Sequence, residues 1–323
     1  MSDSDFGILF ESISTPLAKQ DISVTFSNRK YEAPNCLKKE IKRRIESMKK
    51  LSKEKGFKFF DDRVARLDNW SINKNSNNRR LMLKLHFSET SYYYYTAMNL
   101  GLDEPVIEIA DKTKRYSCDK NSQFTIRELL GEKYFDLKGS ILPNPLSVNM
   151  SVVLISSSSK SGYEPKLKPK IILSKRSKSH TLEACGTLSC LIGGTISIGE
   201  GDKDAAGNPD PLRTVIREAK EELNLELNDD EINKNNIIFF GLGRNMSNLK
   251  PELYGEVLIS GVTEKEVVQS WKNAKDREES NDLIFEDLEE SRIRSMIKQN
   301  NLWSPVGRTA TSASLKNSSR RCR

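Results

Sequence analysis

The sequence predicts an α+β fold, and three observations carry that prediction. Strand-like apolar runs and helix-like amphipathic runs are interspersed without strict alternation, which favours a mixed sheet between helices, an α/β/α sandwich. The length of 323 residues suits two ordinary domains, and Leu142-Pro143-Asn144-Pro145 interrupts the pattern near the middle. Hydrophobic residues make up 36% and charged residues 30%, the balance of a soluble globular chain with a charged surface. The expected organisation is a smaller α+β N-terminal domain over 1–140, a main domain over 141–309 and a basic, disordered tail over 310–323.

The elements follow in chain order. Leu37, Ile41, Ile45, Met48 and Leu51 recur at helical spacing, so 37–55 is a helix, with Lys and Arg on its other face and Gly56 at its end. Runs 63–72 and 79–87 read as strands, joined through the polar stretch Asn73 to Asn78 as a hairpin. Residues 90–100 contain four consecutive tyrosines, some expected to pack and some to be wetted, and 125–130 reads as a short helix. After the proline break come strands 148–156 and 170–175 around a Ser-, Lys- and Pro-rich loop, then a short strand near 187–192. Helix 211–223, strands 237–243 and 252–260, and helices near 263–274 and 287–299 complete the prediction.

Charge and cysteine usage bound the function. The net charge is +7, but segment 36–58 and segment 308–323 hold enough Lys and Arg to leave the rest of the chain mildly acidic. Such basic segments attract polyanions, RNA among them, although a solvated surface is the commoner meaning of a charge run. The five cysteines are scattered without C-x-x-C spacing, which points to reduced thiols in a cytoplasm rather than disulfides or zinc. With only His86 and His180 present, any metal must lean on carboxylates. No apolar run suggests a membrane span, and the first 30 residues do not read as a secretory signal.

Residues 193–225 carry the chemistry. Asp210 is suited to cap helix 211–223 and Pro211 to its first position. Leu212, Val215, Ile216, Ala219 and Leu223 form an apolar stripe that should face the sheet. Arg217, Glu218, Glu221 and Glu222 fall on the other side, where three carboxylates within one turn repel one another. A hard cation relieves that repulsion, and so could Arg217 or Lys220. Asn224 tolerates the left-handed conformation that ends a helix. Upstream, Gly193-Gly194-Thr195-Ile196-Ser197-Ile198-Gly199-Glu200 is punctuated by glycines that let a backbone approach a phosphate or adopt positive φ.

Together these residues resemble the Nudix box, G-x5-E-x7-R-E-U-x-E-E-x-G-U, where U is a bulky apolar residue. Gly194 and Glu200 match its first part, Arg217, Glu218, Glu221 and Glu222 its centre, and Leu225 its last apolar place. Sixteen residues rather than seven separate Glu200 from Arg217, Ala219 is small for its place, and Asn224 stands where the pattern has glycine. The resemblance covers about residues 145–305 and leaves 1–140 unassigned as a lid, a homodimerisation unit or a partner-binding unit. It implies a Nudix fold with a mixed sheet, and hydrolysis of a diphosphate linkage in a nucleoside diphosphate derivative. It also implies Mg²⁺ or Mn²⁺ on Glu218, Glu221 and Glu222, with Glu200 as a ligand or a structural partner. Glu221 or Glu222 would take a proton from water, and Arg217 would orient a glutamate. Arg176 and Arg244, at strand ends, and Gly193 and Gly194 are candidate phosphate contacts, and Glu256 is a candidate glutamate outside the box. RNA 5′-end processing and nucleotide sensing without turnover are the competing readings.

Overall fold

A computed structural model describes residues 5–56, 59–74, 80–107, 124–132, 136–155, 169–178, 183–227 and 236–321. The loop expected over 157–169, apart from Pro169, and His180 lie outside these residues.

The fold is α+β. Strand β1 (Phe6–Glu11) is followed by β2 (Ile22–Lys30), α1 (Lys38–Lys55), β3 (Arg63–Lys74) and β4 (Leu81–Ser91). Short helices α2 (Tyr92–Tyr95) and α3 (Ile126–Leu130) come next. The second half contains β5 (Ser147–Ile155), β6 (Pro169–Arg176), β7 (Leu188–Ser189), β8 (Ile192–Thr195) and α4 (Pro211–Leu223). It ends with β9 (Ile237–Asn245), β10 (Pro251–Ser260), α5 (Glu264–Lys272), β11 (Ser280–Asp287), α6 (Glu290–Ile297) and α7 (Pro305–Arg321).

Eight strands form one mixed sheet in the order β1-β9-β10-β5-β6-β11, with β8 on β5 and β7 on β6. Only β5 and β10 pair in parallel within it; the remaining pairs are antiparallel. A second sheet, β2-β4-β3, stands beside it. Strand alternation sends Val148, Met150, Val152 and Leu154 of β5 to one face, where they pack with Leu212, Val215, Ala219 and Leu223 of α4. The other face packs under α6 and α7: Val153, Ile171 and Leu173 meet Ile293 and Leu315, while Ile238, Phe240 and Tyr254 meet Val306, Ala310 and Ala313. Helices therefore cover both faces of the large sheet.

Two expectations are corrected here, and one strand is added. The boundary near 140 does not separate two cores. The β1 strand pairs with β9 at the edge of the large sheet, β3 hydrogen-bonds to residues 144, 146 and 196, and Leu67, Leu83, Leu85 and Phe87 share the core of the second half. The disordered tail is instead helix α7. Its composition hid it: Ala310, Ala313, Thr311 and Ser314 are small enough for the helix to seat closely, although they show no apolar periodicity. Strand β11 was not expected, and the helix expected near 287–299 follows it as α6. The acidic strand sequence SNDLIFED sits at a sheet edge, where charged residues keep the edge from pairing further.

The basic helix α1 is capped by Gly56 at φ 72°, as its sequence implies. One of its cations is structural: buried Arg44 bonds Glu40 and donates to the carbonyls of Ala97, Gly101 and Glu104. Among the described residues no helix is long and apolar enough to cross a membrane.

Candidate functional site

Helix α4 starts where the sequence implies. The Asp210 carboxylate accepts from the Leu212 amide at 2.9 Å, and Pro211 takes the first position, where its missing N–H costs nothing. It ends at Asn224 in the left-handed conformation, φ 53° and ψ 34°. With the apolar stripe against β5, the polar residues are fixed along the helix flank beside β8.

Those residues divide into two groups. Glu218 and Glu222 turn inward, toward the glycines of β8. The Gly193 amide donates to Glu222 Oε2 at 2.9 Å. A Cβ on Gly194 would stand 1.7 Å from Glu218 Oε1, so no other residue is accommodated there without moving Glu218. Gly194 is thus required for the close approach of Glu218, and neither glycine has positive φ. Burial raises the pKa of both carboxyls, and the charge of Glu218 adds to the rise at Glu222. Glu221 turns outward. Burial would raise its pKa too, but hydrogen bonds from Lys275 and Arg217 hold it below the ordinary glutamate value.

Arg217 is the pin of this flank. Its guanidinium grips Asp202 with two bonds, Nε to Oδ1 at 2.7 Å and Nη2 to Oδ2 at 3.0 Å, and also pairs with Glu218 at 2.7 Å and Glu221 at 2.8 Å. Asp202 is fully buried and also accepts from the Ser197 amide and the Thr214 hydroxyl. This corrects the expectation for Glu200, whose side chain is 92% exposed and pairs only with Lys203. The turn Glu200–Asp202 aims the second of its acids, not the first, at the arginine.

A residue missed in the sequence joins the group. Glu279, just before β11, lies within electrostatic reach of Glu218, Glu222 and Glu221. Burial raises its pKa, and the opposing charge of Arg176 counters part of the rise. The Glu279 carbonyl accepts from the Ser177 amide, which ties it to the end of β6. The signal that could have found it is weak: one glutamate in the run Arg277-Glu278-Glu279.

Arg176 does reach the site. Its Nε donates to the Glu183 carbonyl at 3.2 Å, and its guanidinium lies 3.9 Å from Glu279. Two other candidates do not. Arg244 is fully buried, donating to the Leu249 carbonyl and to Asn144 Oδ1, and burial lowers its pKa to about 10. It pins the turn between β9 and β10. Glu256 is buried on the opposite side of the sheet, where Oε1 accepts from Asn317 of α7 at 3.4 Å. Cys190 is buried, its thiol pushed up to about 12 by burial, which suits a packing residue rather than a nucleophile.

One opening borders this helix and a second lies beyond β8. A cleft of about 560 Å³ borders the outer side of α4, with Arg213, Arg217, Lys220, Glu221 and Lys275 on its walls. A polar cavity of about 90 Å³ lies across Gly193 and includes Arg176 and Glu252. Among the described residues no three Asp, Glu, His or Cys side chains stand close enough together to hold a metal ion. Glu218 and Glu222 fit one in kind, being buried carboxylates that disfavour each other's charge.

No protein-family model and no curated protein matches the chain. Among solved structures, a mutT/nudix family protein from Listeria innocua is similar over 55% of this chain and 94% of its own, with 15% identity and a TM-score of 0.33. At that distance the reading of the site rests on the residues themselves.

Proposed function

We propose that this chain is a metal-dependent pyrophosphohydrolase of the Nudix type, acting on a nucleoside diphosphate derivative. One observation carries the reading: Glu218 and Glu222 of a rigid, doubly capped helix are buried together against a glycine pair, with Glu279 and Arg176 in reach. Arg217 offsets the charge of Glu218 alone, and a cation between the two carboxylates would relieve what remains.

Glu218 and Glu222 would hold Mg²⁺ or Mn²⁺, with Glu279 beside them. When bound, the ion neutralises phosphate oxygens and lowers the pKa of a coordinated water. The chain's own groups do the rest. Arg176 faces the site from the end of β6 and supplies positive charge for a phosphate. Arg217 positions Glu218 and Glu221 and is itself held by Asp202, so it acts through the glutamates. Glu279 is the least buried member of the cluster and the base this reading favours: water adds to one phosphorus, its proton passes to the Glu279 carboxylate, and the bridging oxygen leaves with the other phosphate. The basic cleft beside Glu221 has the volume of a nucleotide site.

The test is hydrolysis of nucleoside triphosphates, ADP-ribose, NAD, dinucleoside polyphosphates and 5′-triphosphate or capped RNA, with and without Mg²⁺. RNA is included because α1 exposes Lys38, Lys39, Lys42, Lys49, Lys50 and Lys53, and Lys49 stands over Tyr93, which stacks on Phe59. Glu222→Gln is expected to lower kcat by about 10² to 10⁴ while the protein stays folded. Turnover that survives both Mg²⁺ removal and Glu222→Gln would sink the proposal. A sensing role is the second reading, favoured by the two cations that occupy Glu221. A panel compound that raises the melting temperature yet is never cleaved would select it.

A further inference from the structure

The cavity across Gly193 is unlike the carboxylate cluster beside it. It is small, about 90 Å³, and polar, which suits a compact oxyanion. Its walls include Arg176, Lys250, Asn149 and Ser304, and the first residues of α7, Pro305 and Val306, present the positive end of a 17-residue helix.

A second feature points the same way. Glu252 is 4% exposed, lines the cavity, and its Oε2 has no hydrogen-bond partner among the described residues. Burial pushes its carboxyl up to about 8; Lys250 and Arg176 oppose the shift and Glu183 adds to it. Near neutrality the group keeps its proton, so its free oxygen can donate rather than repel. The other acid on the wall is already engaged: Glu183 accepts from Asn248 at 2.9 Å and from Lys250 at 3.3 Å. Donors therefore dominate, and an occupant that accepts on every side is what they match.

We propose that this cavity seats a phosphate group, held by Arg176, Lys250, the amino end of α7 and the Glu252 carboxyl. If the hydrolase reading holds, that phosphate belongs to the substrate and lies next to the diphosphate that is cut. The substrate class is then a chain of three or more phosphates rather than a diphosphate closed by a second sugar.

The seat is tested without turnover. Inorganic phosphate is titrated into the full chain in EDTA at constant ionic strength against chloride, and binding is followed by ³¹P NMR. Saturable binding is expected. It should weaken about tenfold or more in Lys250→Gln and in Arg176→Gln, persist in Glu252→Gln, which keeps a neutral donor, and be unchanged in Glu200→Ala. If Lys250→Gln does not fold, Arg176→Gln at the cavity's edge carries the comparison. No saturable binding by the folded protein, or binding indifferent to both cation variants, would overturn the inference. Phosphate binding without hydrolysis of any panel compound keeps the seat and removes the hydrolase. Mg²⁺-dependent hydrolysis without phosphate binding does the reverse.

Discussion

Helices α4 and α7 lie on opposite faces of the same sheet, and both begin with a proline, Pro211 in one and Pro305 in the other. The first is held by an apolar stripe of Leu212, Val215, Ala219 and Leu223. The second buries Val306, Ala310 and Ala313 together with Thr311, Ser314, Asn317 and Ser318. Beneath it the sheet is also polar: Ser147, Ser151, Glu252 and Glu256 are buried on that face. One helix is fixed by transfer of large apolar groups from water, the other by small residues that let a backbone sit close. The difference assigns their duties. The stripe of α4 leaves a whole flank free for charges, whereas α7 has no free flank near the site and contributes its end.

Substitutions can break or sharpen that contrast. The largest effect is expected from Asp202→Ala, which removes the fork partner of Arg217 and leaves a part-buried guanidinium beside two glutamates. About 3 kcal/mol of stability should be lost in urea titration, near the lower end of the range for a broken buried pair because Arg217 is partly wetted. A loss below that of the α7 variant below would mean that the stripe alone holds α4. Next, Ala310→Leu should cost about 1–3 kcal/mol by overpacking, since Ala310 is fully buried against the sheet. A neutral result would show that α7 is not seated closely. Least of all, Glu200→Ala should change stability by less than about 0.5 kcal/mol and leave turnover as it was, because the side chain touches only Lys203. A large loss would return Glu200 to the site and remove Asp202 from its place.

The same contrast explains what could be read from the sequence. Helix α4 was legible to the residue because cap, first-position proline, periodicity and left-handed Asn224 all agree. Its glutamates were legible as a group, but not their division, since which carboxylate meets a lysine depends on Lys275, far along the chain. Asp202 was missed because counting from Gly194 lands on Glu200, and a short turn decides which acid is buried. Glu252 and Glu279 were illegible for a different reason: nothing in their local sequence marks them, and the strands they precede or begin bring them in. Helix α7 hid behind a composition that resembles a disordered tail, and the polar sheet face that receives it is visible only once β5 and β10 are paired.

Strand β1 has a consequence for how the molecule is made. Phe6 pairs with Asn245 and Glu11 with Gly241, so among the described residues the sheet neighbour of this strand lies far along the chain. Phe6–Glu11 therefore exchanges its hydrogen bonds to water for those of the sheet only once β9 has been made. Closing this sheet edge is therefore a long-range contact and a late event of folding.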